Sequence, residues 1–451
     1  MRDSIYDNKG SGAKAQKAIQ RMWVALLLLC ILCCGTMHAQ QVLTIQQAIS
    51  LAMKNNYDIL VAQTDADIAK VNNTWGNAGL LPTIAATAID NYAYNTINQN
   101  YSSGNKINVK GANTNALNTG AFVNWTLFDG GKMFITKKKL NEQEALGVLQ
   151  YKDKVMATVY DVVTSYYDIV RQQQQLKSLE ESIKYNTERV KIFQTRFDAG
   201  LVPKTDLLQA KVDLNGYKEN VITQLTTIIS AKRKLNQLMS RDANEVFDVP
   251  DSIPNTYQVN KREIAQKMGS SNTSILAYQK QIDVAKLSIK EFKTLYLPKI
   301  NITGGYNYAR NDNSAGFTLF SQTYGPQAGG SLTIPLYQGG NVKRQVAVAK
   351  IQLKAAEYSL ERVKLQASIQ LQNALTDFDN QQQLYELEKE SAVLSKENLD
   401  ISMARLRLGQ TNSLEVRQAE LSYQSSLSKL SAIQYSLKTA ETRLRQLIAD
   451  L

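Results

Sequence analysis

Leu127-Phe128-Asp129-Gly130-Gly131 and Leu336-Tyr337-Gln338-Gly339-Gly340 are two copies of one motif, 209 residues apart. From Asp129 to about Ala419 the first half of the chain can be laid on the second at that offset without a gap. Asp168-Ile169-Val170-Arg171-Gln172-Gln173-Gln174 falls on Asp377-Phe378-Asp379-Asn380-Gln381-Gln382-Gln383, and Arg196 and Gly200 fall on Arg405 and Gly409. Upstream the offset becomes 216, so that Asp67-Ile68-Ala69-Lys70 meets Asp283-Val284-Ala285-Lys286 and Leu81-Pro82 meets Leu297-Pro298. The seven-residue change lies between the Leu-Pro and Gly-Gly landmarks, where a surface loop absorbs insertions cheaply. A repeat this long describes architecture. It makes the 451 residues two similar halves of one body rather than the two or three unrelated domains their length suggests.

The N-terminus has the parts of a secretory signal. Lys14, Lys17 and Arg21 precede an apolar run from Met22 to Cys34, and Met37-His38-Ala39 offers a small residue for cleavage before Gln40. That run is short of the ~20 residues a helical membrane anchor needs. Cleavage at that point removes all three cysteines (Cys30, Cys33, Cys34) and the only histidine, His38. The mature chain is then expected to have no thiolate nucleophile, no imidazole base, no disulfide and no Cys/His metal site. It keeps 47 Lys/Arg against 38 Asp/Glu, a net of +9, after five basic and two acidic residues leave with 1–39. Those charges are spread along helical segments with acidic neighbours, so no nucleic-acid partner is indicated.

Each half runs in the same order: a short helix, a medium helix, Leu-Pro, two strand-like runs around a polar loop, Gly-Gly, a very long helix, a turn and a return helix. Ile300, Ile302, Gly304, Tyr306 and Tyr308 share one strand face, against Lys299, Asn301, Thr303 and Asn307. Ala121, Val123, Trp125 and Leu127 repeat the alternation, as do Ala328, Gly330, Leu332, Ile334 and Leu336. This suits a half-buried sheet in a soluble protein or a membrane barrel equally. Asn95 to Asn118 and Asn311 to Pro326, rich in Asn, Gly and Ser, read as solvated loops. Nothing interrupts the helical pattern from Lys132 to Asp198, a length of roughly 100 Å at 1.5 Å per residue. Within it Leu176, Leu179, Ile183, Asn186, Val190, Phe193 and Phe197 form a coiled-coil seam with one polar layer. The sequence therefore divides into a signal peptide (1–39), a first repeat (40–240), a linker (241–260) and a second repeat (261–451). The β-hairpins are placed at about 83–128 and 299–337, and the long helical hairpins at 132–240 and 341–449.

Four strands leave two open edges, and in lipid each unpaired backbone group costs several kcal/mol. Three chains supply twelve strands, enough to close a barrel too wide for side chains alone to fill. The expected fold class is an α+β membrane protein: a trimeric 12-stranded β-barrel, four strands per chain, continued by a long α-helical periplasmic barrel. A conduit from an outer membrane deep into the periplasm follows from signal, strands and helix length together.

The chain resembles the TolC-type outer-membrane efflux family at these residues. The features are the Leu43-Thr44-Ile45-Gln46-Gln47-Ala48-Ile49-Ser50-Leu51-Ala52 opening, the Leu-Pro before each hairpin, the Leu-Phe-Asp-Gly-Gly and Pro-Leu-Tyr-Gln-Gly-Gly strand ends, and the Arg196…Gly200…Asp206…Gln209-Ala210 turn. The resemblance covers essentially the whole mature chain. It implies a homotrimeric duct in the outer membrane of a Gram-negative bacterium, embedded in outer-membrane lipid. Such a duct docks to a periplasmic adaptor (a membrane-fusion protein) and an inner-membrane pump of RND or ABC type, for efflux or type I secretion. Passage through it is passive, without cofactor. The resemblance also assigns adaptor contact to the tip turns Gly200-Leu201-Val202 and Gly409-Gln410-Thr411. It places Glu415 at a pore-constriction position, followed by Gln418, where an acid would complete a double ring. Asp206 is the first-half counterpart of Glu415 and is also explained as a helix N-terminal charge.

An enzyme is the rival from another class, and no phosphate loop, serine elbow or metal constellation supports it. A periplasmic or surface-associated coiled-coil scaffold without transport activity fits the heptads but leaves the amphipathic hairpins without a role.

Overall fold

The computed structural model describes residues 42–451 apart from Thr256 and Gln258. The signal peptide assigned to 1–39 lies outside the described residues.

The first half contains α1 (Ile45–Asn55), α2 (Tyr57–Asn72), β1 (Thr83–Asn100), β2 (Lys106–Asp129), α3 (Lys132–Asp198) and α4 (Lys204–Leu238). The second contains α5 (Lys261–Ser271), α6 (Thr273–Lys293), β3 (Lys299–Asn313), β4 (Phe320–Thr333), α7 (Asn341–Arg407) and α8 (Ser413–Leu447). The repeat persists in single hydrogen bonds. Asn56 caps α2 through its side-chain oxygen and donates its amide to the Leu238 carbonyl at 2.8 Å. Asn272, 216 residues later, caps α6 and donates to the Leu447 carbonyl at 3.0 Å. One side chain thus starts a medium helix and satisfies the end of the return helix in the same half.

The strands form one antiparallel sheet in the order β1-β2-β3-β4, with β1 and β4 at its edges. Thr83 pairs with Asn124, and Lys299 with Thr333, which are the same two positions shifted by 216 and 209. The two hairpins therefore share one register. Across the halves, β2 pairs with β3 from Thr114↔Asn313 to Thr126↔Asn301, with a bulge before Phe128↔Ile300. Gly305 and Gly120 lie beside Phe122, close enough that a Cβ on either would collide with its ring and with backbone carbonyls.

Two expectations are corrected. The Asn-rich runs are mostly strand: only 101–105 and 314–319 connect the hairpins. Backbone pairing needs neighbours, not apolar side chains, and Ile97, Ile107 and Val109 continue within the paired register. Conversely, β4 stops at Thr333, short of Ile334 and Leu336 and of the hairpin end placed at 337. Pro335 has no N–H to continue a ladder.

Gly130-Gly131 and Gly339-Gly340 take positive φ in succession and turn each strand straight into a long helix. α3 and α7 have 67 residues each, and α4 and α8 have 35 each. The return helices end at Leu238 and Leu447, slightly before the expected 240 and 449, because Ser240 and Ala449 swing to positive φ as the chain leaves. α3 packs on α4, and α7 on α8; α3 also reaches α6 and α8 of the other half. The largest core lies in the first half around Val162, Ile169, Val170, Leu235 and Met239, closed by Phe247, Val249 and Ile253 of the linker. A second core, near the helix turns, mixes the halves: Phe193, Leu207 and Ala210 pack with Leu399, Met403, Leu406 and Val416.

Candidate functional site: the helical tip

Both long helices end in the same device. Gly200 donates to the Phe197 carbonyl and Leu201 to that of Arg196; Gly409 donates to Leu406 and Gln410 to Arg405. This doubly bonded termination needs a left-handed residue, and Gly200 and Gly409 have φ of 70° and 76°. The two turns differ immediately afterwards. Asn412 caps α8, its side chain accepting the Glu415 N–H at 3.0 Å, whereas Pro203 stands at the same position before α4 with no side-chain cap.

The charges at the turns differ too. Arg405 Nη1 lies 2.5 Å from Glu415 Oε1, and Nη2 donates to the Gln410 carbonyl at 3.3 Å. The Thr411 hydroxyl donates to the other Glu415 oxygen. Glu415 is thus stapled across its own turn. Asp206 and Arg196, the first-half counterparts, enter no ion pair among the described residues. Arg196 instead leans toward the second turn, 3.6 Å from where a Cβ on Gly409 would stand. Asp206 is half-buried at the start of α4, Gln418 is exposed on α8, and neither side chain joins Glu415. Leu201 is exposed, while Val202 packs against the mixed core.

About two helical turns behind the tip lies a group the seam reading does not reveal. Arg189, 1% exposed, reaches Asp213 of α4 at 2.5 Å and Glu420 of α8 at 3.4 Å. Asn186, the polar layer of the seam, donates its amide to Glu420. Arg417 approaches Asp213 at 3.8 Å. Glu420 is 3% exposed, and burial pushes its carboxyl up to about 7 against the pull of Arg189, Asn186 and Tyr217. Burial also raises the Tyr217 phenol, with Glu420 adding to the shift. The sequence signal was available: Val416, Glu420, Tyr423 and Leu427 are spaced 4-3-4, a charge at a seam position.

Among the described residues, no three His, Cys, Asp or Glu side chains gather to hold a metal ion. No described helix is long and apolar enough to cross a membrane.

Comparison with known proteins adds four findings. A family model described as outer membrane efflux protein matches residues 48–241 and 264–450. The chain is 21% identical over 305 residues to the outer membrane protein TolC of Vibrio cholerae, covering 67% of this chain and 70% of that one. It is 20% identical over 422 residues to the proteases secretion protein PrtF of Dickeya chrysanthemi, covering 90% and 88%. In fold it is similar to the Campylobacter jejuni CmeC outer membrane channel, with a TM-score of 0.74 at 18% identity over 90% of this chain and 85% of that one.

Proposed function

This chain belongs to the outer membrane efflux protein family, and from that membership we propose a homotrimeric duct in which three copies close what one copy leaves open. It is an outer-membrane protein with a helical periplasmic extension, and it serves as the duct of an efflux or type I secretion system. The observation that carries the trimer is the four-stranded sheet with unpaired edges β1 and β4, standing on helices of roughly 100 Å. Three sheets give the twelve-stranded barrel. Strands of 14 to 24 residues exceed the ~10 that cross a bilayer, so their Asn- and Thr-rich ends stand in water beyond it. The two repeats then act as pseudo-equivalent sixths, 40–240 and 261–451 joined by 241–260, behind a signal peptide at 1–39.

Pseudo-equivalence specifies the missing contact. If β4 meets β1 of a neighbouring copy as β2 meets β3, Phe122↔Gly305 becomes Ser331↔Ile89 under the offsets 209 and 216. Cysteines at Ser331 and Ile89 are expected to give disulfide-linked trimers in outer membranes under oxidising conditions. Single cysteines should not. A soluble, uncrosslinked double variant would favour the scaffold reading and remove the barrel.

At the tip, the turns Gly200-Leu201-Val202 and Gly409-Gln410-Thr411 are the surfaces for a periplasmic adaptor, which couples the duct to an inner-membrane pump. Glu415 in three copies forms the constriction ring, with Gln418 about one helical turn further from the tip and Asp206 as its first-half counterpart. Because Arg405 compensates Glu415, the two side chains have opposite expected effects. Arg405→Gln should raise cation preference in planar-bilayer reversal potentials, and Glu415→Gln should lower it. Equal reversal potentials in both variants would take this pair out of the permeation path.

A further inference from the structure

On α7, Leu387, Leu394 and Ile401 are seven residues apart and 62%, 58% and 52% exposed. Their first-half counterparts on α3, 209 residues earlier, are Ser178, Tyr185 and Ile192. Those three are covered: Ser178 is buried, and Tyr185 and Ile192 pack on the mixed core built largely from α7 and α8. One half thus receives the other along this ladder, and the second half's ladder is left without an occupant.

Polar contacts cross the covered seam, three of them ion pairs, among them Arg417 with Asp213. Glu188 pairs with Arg407 at 2.7 Å, Arg189 with Glu420 at 3.4 Å, and Tyr185 donates to Asp400 at 3.2 Å. Tyr423 donates to Glu181 at 3.4 Å, and Ser428 to Gln175 at 2.7 Å. Carrying the last five pairs by 209 residues onto the open seam gives Glu397 with Asp198, Asn398 with Lys211, Leu394 with Lys191, Glu390 with Leu214, and Leu384 with Glu219. Only Asn398 with Lys211 could still form a hydrogen bond, and none is an ion pair. The first sets two carboxylates against each other where the covered seam has an ion pair.

We infer that the α7 ladder receives the first half of a second copy, through a seam that keeps the apolar packing but lacks the ion pairs tying the halves of one chain. The inference rests on the trimeric reading above. Its consequence is a tip with two mechanical kinds of seam. Each chain's four long helices hold together as a body, and the joints between chains are the ones that loosen.

The pair Glu397 and Asp198 supplies the test. Asp198→Arg would set a cation opposite Glu397 of the neighbouring copy, as Arg407 stands opposite Glu188. It is expected to slow trimer dissociation by roughly twofold to fivefold per pair at low salt, with the gain fading at high ionic strength. The Asp198 change also improves the end of α3, where a cation suits the helix dipole better than an anion. The double variant Asp198→Arg/Glu397→Arg keeps that benefit and sets like charges across the seam, so it should lose the gain. Two results overturn the inference: Asp198→Arg dissociating like the unaltered trimer, or the double variant retaining the gain. Absence of any trimer in the unaltered protein would instead defeat the assembly reading, and the two failures are therefore distinct.

Discussion

Replacing Arg189 by methionine is expected to destabilise the tip by about 3–5 kcal/mol at pH 8, the usual cost of stranding a buried charge. Methionine fills much the same volume but leaves Asp213 and Glu420 without the guanidinium between them. The groups facing Glu420 are Asn186 and Arg189 from α3 and Asp213 and Tyr217 from α4, while Arg417 of its own helix lies 3.8 Å from Asp213. With Arg189 gone, only Asn186 and Tyr217 favour the carboxylate.

The sign of the pH dependence follows from the raised pKa. Glu420 holds its proton in the folded protein up to about 7, while the unfolded chain releases it near the ordinary value of 4.5. The folded state binds more protons through that window, so this residue's contribution to stability falls as pH rises from 4.5 to 7 and then levels. Losing Arg189 moves the upper limit higher, so the decline continues further into the alkaline range. The deficit of Arg189→Met should therefore be largest at pH 8 and shrink toward pH 5, read by hydrogen exchange in the last turns of α3 and the first turns of α8. A second substitution, Glu420→Met, should recover part of the loss and remove its pH dependence, while Asp213 keeps only Arg417 at 3.8 Å. A deficit independent of pH, or none at pH 8, would show that Arg189 does not hold these carboxylates.

The parts of this architecture legible in sequence are those set by local chemistry. Gly130-Gly131 and Gly339-Gly340 mark where strand becomes helix because only consecutive left-handed residues make so abrupt a turn there. The uninterrupted pattern from Lys132 to Asp198 coincides with α3 because no proline or lost periodicity intervenes, and its one glycine, Gly147, is buried against Ala66 and Ala69 of α2. Strand length was illegible at both ends for non-local reasons. The run from Asn95 has loop composition but an available neighbour in β2, and Ile334 has strand composition but Pro335 beside it. Asn186 showed itself as a polar layer, yet its partner Glu420 lies 234 residues away on another helix. The staple between Arg405 and Glu415 closes across a turn, so spacing identifies the acid and not the compensation.

Gly305→Val is expected to abolish the membrane-inserted trimer. A Cβ at Gly305 would stand 2.5 Å from the Ala121 carbonyl oxygen and 2.7 Å from Phe122 Cδ1, both on the paired strand β2. A Cβ at Gly120 would meet the Tyr306 carbonyl oxygen at 2.6 Å and the Phe122 ring at 2.9 Å. The ring of Phe122 therefore occupies the space that two glycines leave free, and it does so at the pairing that joins the first hairpin to the second. Valine adds two methyl groups where even one carbon does not fit, so β2 and β3 must separate or slip. A one-residue slip would turn every side chain of the second hairpin to the opposite face. Separation would expose two further strand edges in a sheet that can spare none. Trimer yield in isolated outer membranes is the measurement, with Gly305→Ala and the pair Gly305→Ala/Phe122→Ala as graded controls. Removing the ring relieves the contact with Phe122 but not the one with the Ala121 carbonyl, so the pair should recover part of the yield and not all of it. Full yield from Gly305→Val would mean that β2 and β3 do not approach as closely as this register requires, and the carried-over contact between Ser331 and Ile89 would lose its basis with it.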